Sequence, residues 1–398
     1  MTNPDSPTIK QRINSIDILR GAIMLIMAID HSRDFFYFTG PGSNPVDMAT
    51  TTPILFFTRW ITHFCAPTFV FLSGVSAYLA GTRRTKSELT GFLIKRGLWL
   101  IVVEVVFITL AITADPLYNV LVLQVLWAIG VSMILLGIVV KLPLKYIAII
   151  GALIFFGHDI IDGMKASQST TWFNIDSIFL TAFGTVIPVD KTHVIFDLYA
   201  VIPWTGIMML GYVFGSMYQR GFDPQKRRNI LRYAGIATLS FFVAMRLINQ
   251  YGDPNPWAIQ RDGVHSLLSF FNVSKYPPSL LYSCMTLGVS LLVLSATEAI
   301  NNRVTRLLTI YGNVPFFYYV PHFFLLRIIN IIVFFAAGYT TSQIVTPGSP
   351  FLFKPPGFGF SLWVVYLVWF VVIVILYFPC RWYSKYKKTH TQWWLSYL

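Results

Sequence analysis

Long apolar stretches separated by short polar connections recur from residue 16 to residue 378. A helix that crosses a hydrocarbon core of about 30 Å needs roughly 17 to 25 such residues. The pattern predicts spans near 15–37, 54–80, 92–114, 118–140, 144–160, 197–218, 230–248, 279–298, 308–337 and 360–379. The fold class expected is therefore all-α, a polytopic integral membrane bundle of about ten transmembrane helices. No polar stretch is long enough for a separate folded unit, so residues 1–398 read as one domain, with a polar lead over 1–14 and a basic tail over 380–398. Two long connections, 161–196 and 249–278, contain apolar pieces beginning at Ile178 and Leu267, which fit re-entrant or interfacial helices. The stretch from Thr340 to Gly359 reads as irregular chain.

The first stretch, Ser15 to Asp34, is apolar enough to enter a bilayer yet carries six ionisable side chains. At 100° per residue, Asp17, Arg20, Met24, Met27, His31 and Asp34 fall in one stripe, with Asp30 and Arg33 off to its side. Ionisable groups inside a membrane are costly and face a protein interior or a wet cavity. The stripe is therefore expected to line a polar channel. Arg20 and His31 are eleven residues apart, roughly 16 Å at 1.5 Å per residue. One helix would then reach substrates arriving from opposite faces.

Composition agrees with a membrane protein: 55% of residues are hydrophobic and only 12% charged. The net charge of +13 does not imply a nucleic-acid partner, because the cations sit in the connections. Twenty Lys and Arg fall in the lead, the tail and alternate connections, against five in the opposite ones. That asymmetry predicts that both termini are cytoplasmic, with the chain multi-pass in the cell membrane. The first stretch has no Ala-x-Ala cleavage site and is broken by Arg20, so it is expected to be retained. Cys65, Cys284 and Cys380 have neither paired nor metal-ligand spacing, and neither a disulfide framework nor a metal is expected. Walker, Rossmann and Gly-x-Ser-x-Gly patterns are absent from the sequence. A bound cofactor is not expected.

His31 is the sharpest candidate for chemistry, since histidine titrates near neutrality and can take a proton from an amine or hydroxyl. Asp34, on the same face, or Asp30, adjacent in sequence but pointing about 100° away, would orient the imidazole, and both are read as catalytic with His31. Arg20 would bind donor phosphates or pair with Asp17 at i−3. Arg59 and His63 put a second cation and imidazole on one face, or pair with an acid such as Glu104. Glu104, inside the third span, needs a partner or a proton. His322 is a third intramembrane histidine. Lys275 and His265 lie in an outer connection where they would touch an acceptor, although Pro277-Pro278 also reads as a helix start.

Several runs resemble known families. Arg20 followed by ten residues and His31, with Cys65-Ala-Pro-Thr-Phe-Val-Phe-Leu-Ser-Gly74, resembles the bacterial membrane O-acyltransferases. Closer still, Ser15-Ile-Asp-Ile-Leu-Arg-Gly with Asp30-His31 resembles the heparan-alpha-glucosaminide N-acetyltransferase catalytic-domain family. So do Ile202-Pro-Trp-Thr-Gly-Ile-Met-Met-Leu-Gly211, Lys275-Tyr-Pro-Pro-Ser-Leu280 and Tyr311-Gly-Asn-Val-Pro-Phe-Phe-Tyr-Tyr-Val-Pro-His322, and the similarity runs through nearly the whole chain. The resemblance implies transfer of an acyl, most simply acetyl, group from cytoplasmic acyl-CoA as co-substrate to an amine or hydroxyl on the outer face. It implies a catalytic role for His31 and donor binding by Arg20. The expected partners are the acyl donor, a glycan or lipid-linked envelope acceptor, and membrane lipid, with a homodimer left open. The alternatives are a transporter or lipid translocator that uses the same stripe as its path, and a non-catalytic envelope-assembly protein.

Overall fold

The structure, a computed structural model, describes residues 14–38, 43–162, 177–181, 185–345 and 351–396. They are mostly helical, and seven helices are long and apolar enough to cross a membrane. These run over Pro53–Gly81, Lys86–Thr113, Val201–Tyr218, Pro224–Ile248, Leu280–Thr297, Pro315–Ala336 and Leu362–Thr389. The chain is a polytopic membrane helical protein. Helix α1 (Asn14–Phe36) is not among the seven, because Asp17, Arg20, Asp30, Arg33 and Asp34 lower its hydropathy. It is nevertheless the centre of the bundle.

Breaks refine several expected spans. The second divides at His63 and Phe64 into α2 (Pro53–Thr62), started by Pro53 and capped by the Thr52 hydroxyl, and α3 (Cys65–Gly81). The third is α4 (Lys86–Val102), opened by a Thr85–Glu88 capping box. It passes through a π-helical turn, Val103–Ile108, into α5 (Thr109–Thr113) and stops at Ala114, which is left-handed at φ 59°. The ninth divides at Asn313 and Val314 into α12 (Arg303–Gly312) and α13 (Pro315–Ala336), where Pro315 restarts the helix. Between these lie α6 (Val125–Val139), α7 (Leu144–Asp162), α8 (Val201–Phe214), α9 (Pro224–Ile248), α10 (Gly263–Phe271) and α11 (Leu280–Thr297). Helix α14 (Leu362–Thr389) closes the bundle.

The all-α expectation needs one correction. Residues 120–123, assigned to the fourth span, form strand β1 (Val120–Leu123) of a small sheet with β2 (Thr185–Pro188) and β3 (Val194–Asp197). The order is β1-β3-β2, with β1 parallel and β2 antiparallel to β3. The run Val-Leu-Val-Leu is as compatible with a strand as with a helix, and pairing with Val194–Asp197 selects the strand. Helix α6 consequently begins seven residues later than the hydropathy suggests. The Leu267 piece of the outer connection is helical, within α10, and the Ile178 piece lies in a π-helical turn, Ser177–Thr181. Much of the 161–196 connection lies outside the described residues.

Helix α1 packs against α2, α3, α11, α12, α13 and α14. Its closest neighbour is α12, because Gly21 and Gly312 let the two backbones touch. A Cβ on Gly21 would stand 1.9 Å from the Leu308 carbonyl oxygen, and one on Gly312 would stand 1.8 Å from that of Asp17. Small residues at such crossings are how membrane helices gain contact where lipid supplies no hydrophobic drive. Hydrogen bonds between helices add to this, as between Thr68 and Ser290 at 2.7 Å and Ser132 and Thr205 at 2.9 Å.

Candidate active site

The stripe on α1 lines a series of three cavities. The first holds about 310 Å³ and is walled by Arg20, Met24, Ser76, Arg96, Lys387 and apolar side chains of α3, α4, α6 and α13. The second, about 100 Å³, is walled by Met27, Asp30, His31, Asp34, Lys275 and Tyr276 among others. The third, about 280 Å³, takes His31 and Asp34 again, with Arg327, Asn330 and Lys354. Phe69 and Val125 belong to both the first and the second. His31, Asp34, Gln124 and Leu198 belong to both the second and the third. The small cavity is therefore a neck between two larger ones.

At the first end, the Arg20 guanidinium lies 3.3 Å from Asp17 Oδ1. It donates to Ser76 Oγ at 3.0 Å and to the Gly312 carbonyl at 3.4 Å. The pairing with Asp17 and the facing into a cavity thus occur together. Arg96 and Lys387 join Arg20 on this cavity, although the sequence offered them only as flanking charges.

At the neck, His31 Nδ1 stands 4.0 Å from Asp34 Oδ2. The imidazole packs on Phe323 with centroids 4.3 Å apart and faces His322 at 5.2 Å. Asp34 is half-exposed, while Asp30 is buried and belongs to a different group of charges. Its carboxylate is shared by Arg59 at 2.5 Å, Arg33 at 2.7 Å and Lys275 at 3.7 Å. Three cations on one buried carboxylate make Asp30 the counter-ion that the interior requires. Lys275, expected in an outer loop, is buried in this group.

The remaining candidates divide. Glu104 does not pair with Arg59 or His63; its Oε2 accepts from the Leu126 backbone N–H at 2.9 Å and caps the start of α6. The π-helical turn turns the carboxylate toward α6, and an acid at a helix N-terminus meets the unpaired N–H groups there. His63 is buried at the end of α2, edge-on to Tyr282, whose hydroxyl donates to the His63 carbonyl at 2.8 Å. His322 bonds the Tyr319 carbonyl through Nδ1 and stacks on Tyr318. His265 sits on α10 with Asp262 at 2.8 Å and does not line any of the three cavities. Among the described residues, no group of three His, Cys, Asp or Glu could hold a metal.

Sequence reasoning missed Gln124 and Leu198. Both follow strand ends that pair in register, Leu123 with Asp197, and the Leu198 N–H donates to the Leu123 carbonyl at 3.1 Å. Reading residues 118–124 as helix hid the one signal available, a lone glutamine between two apolar runs.

Fold and site together define a multi-pass membrane protein with a charged helix lining a chain of internal cavities. The family model described as Heparan-alpha-glucosaminide N-acetyltransferase, catalytic, matches residues 12–247, and the chain belongs to this family. The family points to acetyltransferase activity in a membrane enzyme. The match contains the α1 stripe, Arg59 and Gln124, and it ends before Lys275 and His322, short of the whole-chain resemblance expected from the sequence. No curated protein matches the chain.

Proposed function

We propose that the protein transfers an acetyl group from acetyl-CoA on the cytoplasmic side to an amine or hydroxyl of an envelope glycan or lipid-linked sugar on the outer side. The observation that carries this reading is the chain of cavities along one face of α1, with Arg20 on the first and His31 at the neck. The alternation of basic connections supports a cytoplasmic Arg20 end and cytoplasmic termini on a ten-span reading. Arg20, Arg96 and Lys387 then face the phosphates of the donor, where guanidinium and ammonium groups suit phosphate oxygens. The pantetheine arm passes along Met24 and Phe69 to the neck. There the acceptor, entering through the outer cavity, meets the thioester carbonyl.

His31 removes the proton of the nucleophile, and Asp34 orients the imidazole. Asp30 keeps the cations Arg33, Arg59 and Lys275 in place beneath it. Closure of the helices around the neck excludes water that would otherwise hydrolyse the thioester. General-base catalysis of this kind contributes roughly 10² to 10⁴ in rate.

The test is release of CoA and formation of labelled product by the wild type and by His31→Ala in lipid nanodiscs, with acetyl-CoA and a panel of amino sugars. The expected result is transfer by the wild type and loss of at least about 10² in kcat for the variant. Wild-type protein that neither binds acetyl-CoA nor consumes it would exclude the reading. Ion-coupled sugar uptake without thioester consumption would replace it with transport.

A further inference from the structure

Transfer of an acetyl group needs more than a base. When an amine or hydroxyl attacks the thioester, the carbonyl π electrons move to oxygen, and that negative charge forms in a desolvated neck. A preorganised donor there contributes more than any other single group in many acyl transfers. The polar side chains lining the neck can be assigned in turn. His31 is the base, and Asp30 and Asp34 carry no proton to donate as carboxylates. The Thr62 hydroxyl donates to the Arg59 carbonyl at 2.7 Å, and Cys65 Sγ points to the Ile23 carbonyl at 3.7 Å. Tyr199 and Tyr276 meet edge-on with ring centroids 5.4 Å apart, and the Lys275 ammonium pairs with Asp30 at 3.7 Å. Of the uncharged donors on the neck, one also lines the outer cavity with His31. The Gln124 side-chain amide lines the neck and the outer cavity with His31, and it has no hydrogen bond to another described residue.

The backbone beneath it is fixed on both sides. Gln124 follows the end of β1, whose Val122 N–H donates to Thr109 Oγ1 at 3.2 Å, and it precedes the first turn of α6. Two residues on, the Leu126 N–H donates to the Glu104 carboxylate at 2.9 Å. Val125, the next residue, walls the neck and the donor cavity together, so the segment 124–125 adjoins all three cavities. A donor held in this way needs little reorganisation during reaction.

We propose that the Gln124 amide donates a hydrogen bond to the thioester carbonyl oxygen as it becomes an oxyanion, which makes Gln124 a catalytic residue of the transfer. This rests on the acetyl-transfer reading above. The acceptor forms a C–N or C–O bond to the carbonyl carbon, and its proton passes to His31. The tetrahedral adduct, its oxyanion held by Gln124 Nε2–H, re-forms the carbonyl as the C–S bond breaks. The CoA thiolate takes the proton back from His31.

The test does not depend on knowing the acceptor. Binding of acetyl-CoA and of its trifluoromethyl ketone analogue, which hydrates to a tetrahedral adduct, is measured by calorimetry on wild type, Gln124→Met and Gln124→Glu in nanodiscs. Wild type is expected to favour the analogue by about 100-fold. Both variants are expected to lose most of that preference while binding acetyl-CoA within about threefold of wild type, as removal of one oxyanion donor costs about 10² to 10³. Gln124→Met keeps the size without the donor, and Gln124→Glu supplies the same comparison if the methionine variant does not accumulate. An unchanged preference in a folded variant, or no preference in wild type, overturns the role of Gln124 alone. Failure of wild type to bind acetyl-CoA overturns the transfer reading and this inference with it.

Discussion

Replacing Asp30 by asparagine tests how the charges beside the neck are balanced. The substitution keeps the shape and removes the charge that Arg33, Arg59 and Lys275 share. Arg33 still has Asp34 at 3.0 Å, but Arg59 is left with Thr62 Oγ1 at 3.5 Å. Lys275 keeps only the Tyr276 ring, 5.1 Å away, among the partners found for it. The side chains of Asp30 and Lys275 are only 9% and 8% exposed, so water does not replace the lost partner. Breaking a buried pair by removing one member costs about 3 to 5 kcal/mol. That is a fifth or more of the stability of a typical domain, about 5 to 15 kcal/mol. Equilibrium unfolding in mixed micelles, with accumulation in the membrane as a second readout, measures the loss directly. Asp30→Asn combined with Lys275→Met is expected to recover part of it, since the second change removes one of the stranded cations. Asp34→Asn, by contrast, touches a half-exposed carboxylate and is expected to cost under about 1 kcal/mol while lowering kcat. If Asp30→Asn unfolds at the wild-type midpoint, the counter-ion argument is wrong. A stable but inactive Asp30→Asn would assign the imidazole partner to Asp30 and not to Asp34.

Two other outcomes follow from packing and capping. In Gly312→Ala the new Cβ starts 1.8 Å from the Asp17 carbonyl oxygen where ordinary contact begins at 3.4 Å, so α1 and α12 must part by roughly 1.6 Å. Overpacking of that kind costs about 1 to 3 kcal/mol, and the Arg20 bond to the Gly312 carbonyl goes with it. Both a lower unfolding temperature and weaker acetyl-CoA binding are expected, and wild-type values for both would contradict the close crossing. Asp262 caps α10, accepting from the His265 N–H at 2.7 Å and from its imidazole, and these bonds hold the carboxylate below its usual range. A depressed carboxylate stabilises above its unfolded pKa, and that contribution disappears as pH falls through the lower, folded value. Protection of the α10 amides, taken relative to their intrinsic exchange rate at each pH, is therefore expected to fall at acid pH in the wild type, and in Asp262→Ala to be low already at neutral pH and to vary little with acidification; equal acid dependence in both would remove the cap from the account.

What the sequence made legible was whatever belongs to one helix at a time. The stripe from Arg20 to His31 follows from 100° per residue, and the structure places those side chains on one run of cavities. Pairings across helices were not legible. Asp30 looked like a neighbour of His31, yet two of its three cationic partners come from α2 and from the segment before α11, which no periodicity connects. Glu104 looked like a counter-ion for Arg59, but the π-helical turn rotates it toward α6, and a turn of that kind leaves no mark in an apolar run. Residues 118–124 were misread because four alternating Val and Leu residues carry no period that separates a strand from a helix. That misreading concealed Gln124. Arg96 and Lys387 read from the sequence only as basic charges beside the spans, and only the tertiary arrangement turns them toward the Arg20 cavity.

The charges of α1 also set an order for its synthesis. This helix leaves the ribosome ahead of the other described helices, yet the Asp30 carboxylate meets Lys275 only after a further 245 residues have been made. At about 5 to 20 residues per second, that interval is on the order of 10 to 50 s. A segment bearing five charges does not rest in lipid for so long unaided. Two of its ion pairs are local, Asp17 with Arg20 and Asp30 with Arg33, each three residues apart, and they can form in the isolated helix. Nascent α1 is therefore expected to wait at the insertion machinery or the membrane surface, neutralised in part by its own side chains, and to take its central place once α11 has arrived.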